Sequence, residues 1–260
     1  MRLLRLSLPL LALLLPAGPA RAFAPCPVHF AAGQPPRITD PRLGNQAQAL
    51  CYQAFAVLHS GLTRTPLYAA ERLTSRRVRQ ARDTERDSSF HAEPALPPAE
   101  RAELADYARS GWDRGHLAPS GDMPNPEAQQ ESFSLANIVP QAPGLNRGLW
   151  EGAESAVRTL AERRRELYVV TGPVFQGARA QALNGRVLIP TAVFKAVLDP
   201  QRGQAGAYLM PNVERAGWRI VSMDELRRLT GLDVFPALPA RAKQAALRLP
   251  TPRPTRPYRR

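Results

Sequence analysis

Twenty-seven prolines in a chain of 260 residues argue against a bundle of long helices, because each fixes φ at about −65° and removes a backbone donor. They point instead to a loop-rich, partly β architecture. A composition of 44% hydrophobic and 22% charged residues can close a sizeable core, which excludes wholesale disorder and collagen-like repeats. The length suits one large domain or two small ones. No internal repeat or clear boundary divides the chain, so one mixed α+β domain is expected.

Hydrophobic patterning places the elements. Residues 55–58 and 67–70 read as two strands joined by the turn Ser60-Gly61-Leu62-Thr63, after an irregular arm from Pro25 to about Asn45. The Arg-dense stretch from Ser75 to Arg109 carries Pro94, Pro97 and Pro98 and shows no regular period. A short helix is expected near Glu127, with Asn125 as cap and Pro126 at its first position. Phe133 to Val139 reads as a strand. Leu149, Trp150, Ala153, Ala156, Val157 and Leu160 then recur at helical spacing. Strands are expected at 167–170, 187–189, 193–197 and 208–210, and Ser222-x-x-Glu225 opens a helix that ends near Gly231.

Both ends read differently from the body. Arg2 and Arg5 precede an apolar run from Leu6 to Leu15, and small-x-small sequences end at Ala22 and Ala24. Residues 1–24 therefore read as a secretory signal peptide cleaved after Ala22 or Ala24. The run is too short to span a bilayer, which needs about 20 apolar residues, so no membrane association is expected. In an exported chain Cys26 and Cys51, the only cysteines, are most simply a disulfide closing a loop of about 25 residues. Residues 25–248 would form the single domain, and the Pro/Arg-rich stretch 249–260 a mobile tail. The localisation expected is periplasmic or secreted.

The formal charge is +13, and all but two of the 35 basic residues, Lys195 and Lys243, are Arg. Losing Arg2, Arg5 and Arg21 with the leader lowers +13 by three, to +10. Arg presents a planar fork suited to phosphate, although Arg richness also follows from GC-rich codons.

The window that carries chemistry runs from Trp112 to Glu154. It opens with Asp113-Arg114-Gly115-His116, continues to Asn137 in Leu135-Ala136-Asn137-Ile138-Val139-Pro140-Gln141, then to Asn146 and Glu154. Taken singly, Asn146 reads as a helix cap, Asn137 as a strand-end turn and Glu154 as part of a solvated helix face. In this order, nine residues from Asn137 to Asn146 and eight more to Glu154, the set resembles the DNA/RNA non-specific endonuclease family. Tyr168-Val169-Val170-Thr171-Gly172-Pro173 and Ile189-Pro190-Thr191…Phe194-Lys195 extend the likeness, which covers roughly Ala47 to Ala240.

The resemblance implies an α+β fold: a mixed or antiparallel β-sheet core with packed helices, containing a ββα-metal (His-Me finger) motif. It implies a sugar-non-specific endonuclease that leaves 5′-phosphate and 3′-hydroxyl ends. Neutral His116 can take a proton from water. Asn146 offers a hard neutral oxygen suited to Mg²⁺, with Mn²⁺ or another divalent ion as alternatives. Glu154 lies eight residues on, about 12 Å along a straight helix, and so would hold the ion through a water. By family analogy Asn137 fixes the geometry around His116, and Arg114 contacts phosphate, with Asp113 structural. The family's upstream Arg finds a departure: Ser88 stands two before Phe90, where part of the family has Arg, and Arg86 stands four before it. Arg86 is the candidate for transition-state stabilisation.

DNA and RNA are the partners expected, with a homodimer and a protein inhibitor left open. The reading from another class is a non-catalytic basic module that collects phosphates by counterion release.

Overall fold

The computed structural model describes residues 26–86, 89–177 and 181–254. The expected signal peptide with its cleavage sites lies outside the described residues, as does the tail from residue 255 onward. In chain order the principal elements are strands Ala47–Cys51 (β1), Ala56–Ser60 (β2) and Thr65–Thr74 (β3), helix Ser75–Arg82 (α1), strand Asp113–His116 (β4), helix Pro126–Ser132 (α2) and strand Ile138–Gln141 (β5). There follow helix Glu151–Arg164 (α3), strands Glu166–Val174 (β6), Ala192–Asp199 (β7), Gln204–Pro211 (β8) and Arg219–Val221 (β9), and helix Met223–Thr230 (α4).

Seven strands form one sheet in the order β9-β8-β7-β6-β3-β2-β1, with every neighbouring pair antiparallel. Side chains alternate across a strand. Val57, Ala69, Val169, Val193 and Val197 therefore point to one face, and Leu58, Tyr68, Val170, Phe194 and Ala196 to the other. The first face packs under Val78, Leu117, Val139, Trp150 and Val157, from α1, the β4–β5 hairpin and α3. The second packs under Leu226, Phe235 and the arm residues Cys26 and Phe30. The protein is thus α+β, with a buried antiparallel sheet between two layers. Truncating a buried Trp costs about 3–5 kcal/mol, so Trp150, 1% exposed, fixes α3 firmly to the sheet.

The β4–β5 hairpin followed by α3 is the ββα unit. Its register sets Gly115 opposite Val139 and His116 opposite Ile138. Gly115 is required by close approach, because a Cβ there would come within 2.0 Å of Gln141 Oε1. The Asp-Arg-Gly-His and Asn-x-x-Pro-Gln segments interlock at that point.

The disulfide joins Cys26 to Cys51, with Cα atoms 6.0 Å apart, and anchors the arm to the end of β1.

Several elements differ from expectation. The Arg-dense stretch opens with a helix, α1, whose first turn is capped by the Thr74 hydroxyl accepting from Arg77 N at 3.2 Å. Its sequence looks polar throughout because Arg77 is buried. The Arg77 guanidinium donates to the carbonyls of Asp122 and Ala54 and to Glu71 Oε2 at 2.7, 2.6 and 2.8 Å. Phe133 to Val139 is not one strand: the Ser134 hydroxyl accepts from Ala136 N, a turn covers Leu135–Asn137, and the strand begins at Ile138. The stretch expected to be mobile from Leu249 is docked as far as it is described. Leu249 is 4% exposed, the Tyr208 hydroxyl donates to Pro250 O at 2.6 Å, and the Arg253 backbone lies against Gly152. Leu249 and Pro252, both buried, and the Tyr208 hydrogen bond seat it.

Candidate active site

His116 ends β4 and stands between two aromatic rings. Its imidazole centroid is 5.3 Å from that of Phe90 and 4.8 Å from that of Phe133, edge-on to the latter. The cations close the row from outside: Arg114 Cζ lies 4.4 Å from the Phe90 centroid and Arg86 Cζ 5.5 Å from that of Phe133. Both arginines are exposed. The His116 Nε2 atom meets no hydrogen-bond partner among the described residues. Burial, reinforced by the Arg86 charge, pushes the His116 pKa down to about 3, so the ring is a neutral base at pH 7.

That shift has a sign that can be tested. A histidine with a depressed folded pKa binds fewer protons folded than unfolded, so the stability it confers is present above about pH 6.5 and is lost as pH falls toward the folded value. His116→Phe, which fills the same slot without titrating, should gain thermal stability relative to the wild type as pH falls from about 7 to about 5. Melting temperatures whose difference stays constant over that range would contradict the assignment.

Asn146 lies in the π-turn Leu145–Trp150, a wider turn interrupted at Gly148. Such turns re-aim side chains and gather at functional sites. Its Nδ2 donates to Asp113 Oδ2 at 2.9 Å, and Arg147 grips the same carboxylate at 2.7 and 2.5 Å. Asp113 thus fixes the amide, leaving Oδ1 as the acceptor able to meet a cation. Glu154 follows on the first turn of α3. The straight-helix estimate of its separation from Asn146 does not apply, because the helix breaks at Gly148 (φ −122°, ψ −105°). Burial pushes the Glu154 pKa up to about 7 against the pull of Lys195 and Arg158. Arg158 in turn donates to Asp122 Oδ1 at 2.9 Å.

One cleft of about 500 Å³ is lined by Arg86, Arg114, His116, Asn146, Glu154 and Arg158, among others. Five of the six catalytic and metal candidates from sequence therefore meet there. Asn137 does not; it is fully buried behind the cleft. Its Oδ1 accepts from Ala118 N at 2.9 Å, its Nδ2 donates to Ala118 O and Ser132 O at 2.8 and 2.9 Å, and its own carbonyl accepts from Leu117 N at 3.0 Å. It bolts down the chain that leaves His116. Sequence reasoning missed Phe90 and Phe133 as walls of the site, and Arg158, whose only signal was its position one turn beyond Glu154.

No group of three or more His, Cys, Asp or Glu forms a metal cage among the described residues. A cation here would rest on one amide oxygen, a nearby carboxylate and water. That donor set fits a hard ion that keeps most of its hydration, and not a soft one.

A neutral imidazole, an oriented amide oxygen and the exposed guanidinium groups of Arg86 and Arg114 in one cleft are the parts of a hydrolase for phosphodiesters, a nuclease. The chain belongs to the DNA/RNA non-specific endonuclease family, whose family model matches residues 35–241, and that family is metal-dependent. It is 32% identical to mitochondrial endonuclease G of Bos taurus over 88% of this chain and 82% of that protein. It is likewise 32% identical to a nuclease of Nostoc sp. (strain PCC 7120) over 79% of this chain and 80% of the relative. With the mitochondrial nuclease EXOG of Danio rerio it shares 34% identity over 74% of its own length, and spans 62% of that longer protein. The fold matches a chain in a crystal structure of the EndoG/EndoGI complex with a TM-score of 0.70 and 24% identity, covering 80% of this chain and 94% of the other.

Proposed function

We propose that the chain is an exported, sugar-non-specific endonuclease that hydrolyses DNA and RNA to 5′-phosphate and 3′-hydroxyl ends. The observation that carries this reading is the meeting of His116, Asn146, Arg114 and Arg86 in one cleft. His116 is the general base: neutral, walled by Phe90 and Phe133, it takes the proton of the attacking water. Asn146 would hold a Mg²⁺ ion through Oδ1, or Mn²⁺ or another divalent ion in its place, and Glu154 would support that ion through a water. When bound, the ion supplies charge neutralisation at the phosphate and the departing 3′ oxygen. Asn137 keeps His116 in place through residues 117 and 118. Arg114 and Arg86 grip phosphate oxygens with their guanidinium forks.

The disulfide supports an oxidising destination, periplasmic or secreted. No helix among the described residues is long and apolar enough to cross a membrane. The EndoG neighbour was solved in a complex that describes its inhibition, which is the basis for including a protein inhibitor among the partners proposed, beside a second copy of this chain.

Phosphate contacts position a nucleic acid but carry no sequence information directly, so cleavage should be nearly sequence-independent. Water as the nucleophile makes no use of a 2′-hydroxyl, so DNA and RNA should yield the same ends. End-group analysis of both digests tests this: 5′-phosphates on both are expected, whereas 2′,3′-cyclic ends on RNA would refute the mechanism. Binding should also weaken with salt. Each duplex phosphate contact contributes about −0.9 to the log–log slope, so Arg114→Ala should flatten that slope by about one. An unchanged slope would remove Arg114 from the phosphate site.

A further inference from the structure

Strand β7 delivers Lys195 to the site-facing side of the sheet, between Val193 and Val197, where it is 1% exposed. A buried ammonium is costly unless its three protons are met. Its direct contacts are a hydroxyl, a carbonyl and a ring, while its charge also acts on the buried carboxyls of Glu71 and Glu154. The Lys195 Nζ donates to Thr171 Oγ1 at 2.8 Å and to Leu117 O at 3.3 Å, and lies 5.2 Å from the Trp150 ring centroid. Trp150 completes the arrangement by donating its Nε1–H to His116 O at 3.3 Å.

The backbone from 116 to 118 is thereby held at every turn. Asn137 takes the N–H of Leu117 and both backbone groups of Ala118. Trp150 takes the carbonyl of His116, and Lys195 that of Leu117. An apolar side chain of similar length would fill this space at a lower desolvation cost. A charge kept here needs a reason beyond packing: it acts on the buried Glu71 and Glu154 carboxyls, and its direct contacts are with the Leu117 carbonyl and the Trp150 face on either side of the site.

We propose that Lys195 is a positioning residue for the reaction: its buried ammonium ties the Leu117 carbonyl, on the chain leaving His116, to Trp150 at the head of the helix that carries Glu154. The general base on the hairpin and the carboxylate on α3 are brought to a common register from beneath, through a side chain that touches neither substrate nor ion. The inference rests on the nuclease reading above.

The test uses Lys195→Met, which keeps length and volume and removes the charge. Its kcat should fall about 10- to 100-fold, the range for losing a group that orients a ligating or catalytic side chain. KM for duplex DNA should stay within about twofold, because no phosphate contact is lost. The His116 ring resonances, read by NMR without substrate, should shift from their wild-type positions. Thr171→Val, which removes one anchor of the ammonium, should show the same kcat-only pattern at smaller amplitude, and it decides the matter if Lys195→Met does not fold. Folded variants with wild-type kcat and unmoved His116 resonances would overturn the proposal, as would a loss seen only in KM. If the wild-type protein cuts nothing, the nuclease reading fails, and the resonances alone then decide whether Lys195 positions His116.

Discussion

Replacing His116 with alanine should lower hydrolysis of DNA at least about 100-fold, the lower range for losing a general base, while nucleic-acid binding survives. The reason is geometric as much as chemical. The imidazole is the titratable member of the row formed by Arg114, Phe90, Phe133 and Arg86, and neither phenylalanine can accept a proton. Arg114 and Arg86 remain in place to hold phosphate, so the loss should appear in kcat and leave KM nearly unchanged. Single-turnover cleavage set beside filter binding separates the two. A variant that binds and cuts like the wild type would remove His116 from the mechanism.

Asn146→Ala should be of similar severity, about 100-fold or more in turnover, with a higher divalent-ion concentration needed for half-maximal activity. The amide does two things at once. Its nitrogen is spent on Asp113 at 2.9 Å, which leaves its oxygen for the ion. Asn146→Asp, formally a stronger ligand, should not rescue, because it would set a second carboxylate against Asp113 and forfeit the donor. A metal titration of the three proteins checks this. Asn146→Asp at wild-type activity, or Asn146→Ala with an unchanged ion requirement, would show that the ligand lies elsewhere.

The parts legible from sequence were those in which a short motif maps onto one local element. Asp113-Arg114-Gly115-His116 and Asn137 to Gln141 become the two halves of one hairpin, and the helix around Ala153 and Val157 announces itself by period. The parts that were not legible depend on partners distant in the chain. The helix Ser75–Arg82 hides its inward face because Arg77 looks solvent-loving until Glu71 and the carbonyls of Ala54 and Asp122 surround it. Asn137 sits behind His116 in the fold, but its inward aim needs the backbone of Ala118, which no local motif reveals. The Asn146–Glu154 spacing was misread through a straight helix, since a break at Gly148 leaves no trace in hydrophobic periodicity. Lys195 stood in a recognisable motif, yet its burial follows from the parity of β7 in the assembled sheet.

The most direct measurement of the central claim is digestion of supercoiled plasmid and of RNA by the purified protein with Mg²⁺, with excess chelator, and with Mg²⁺ restored, His116→Ala run alongside. Cleavage of both polymers with Mg²⁺, its loss on chelation, its return on restoration and its absence in the variant are the results predicted. Tight binding of both polymers without cleavage would contradict the account and leave a basic nucleic-acid-binding module. Cleavage that survives the chelator, or that persists in His116→Ala, would equally contradict it.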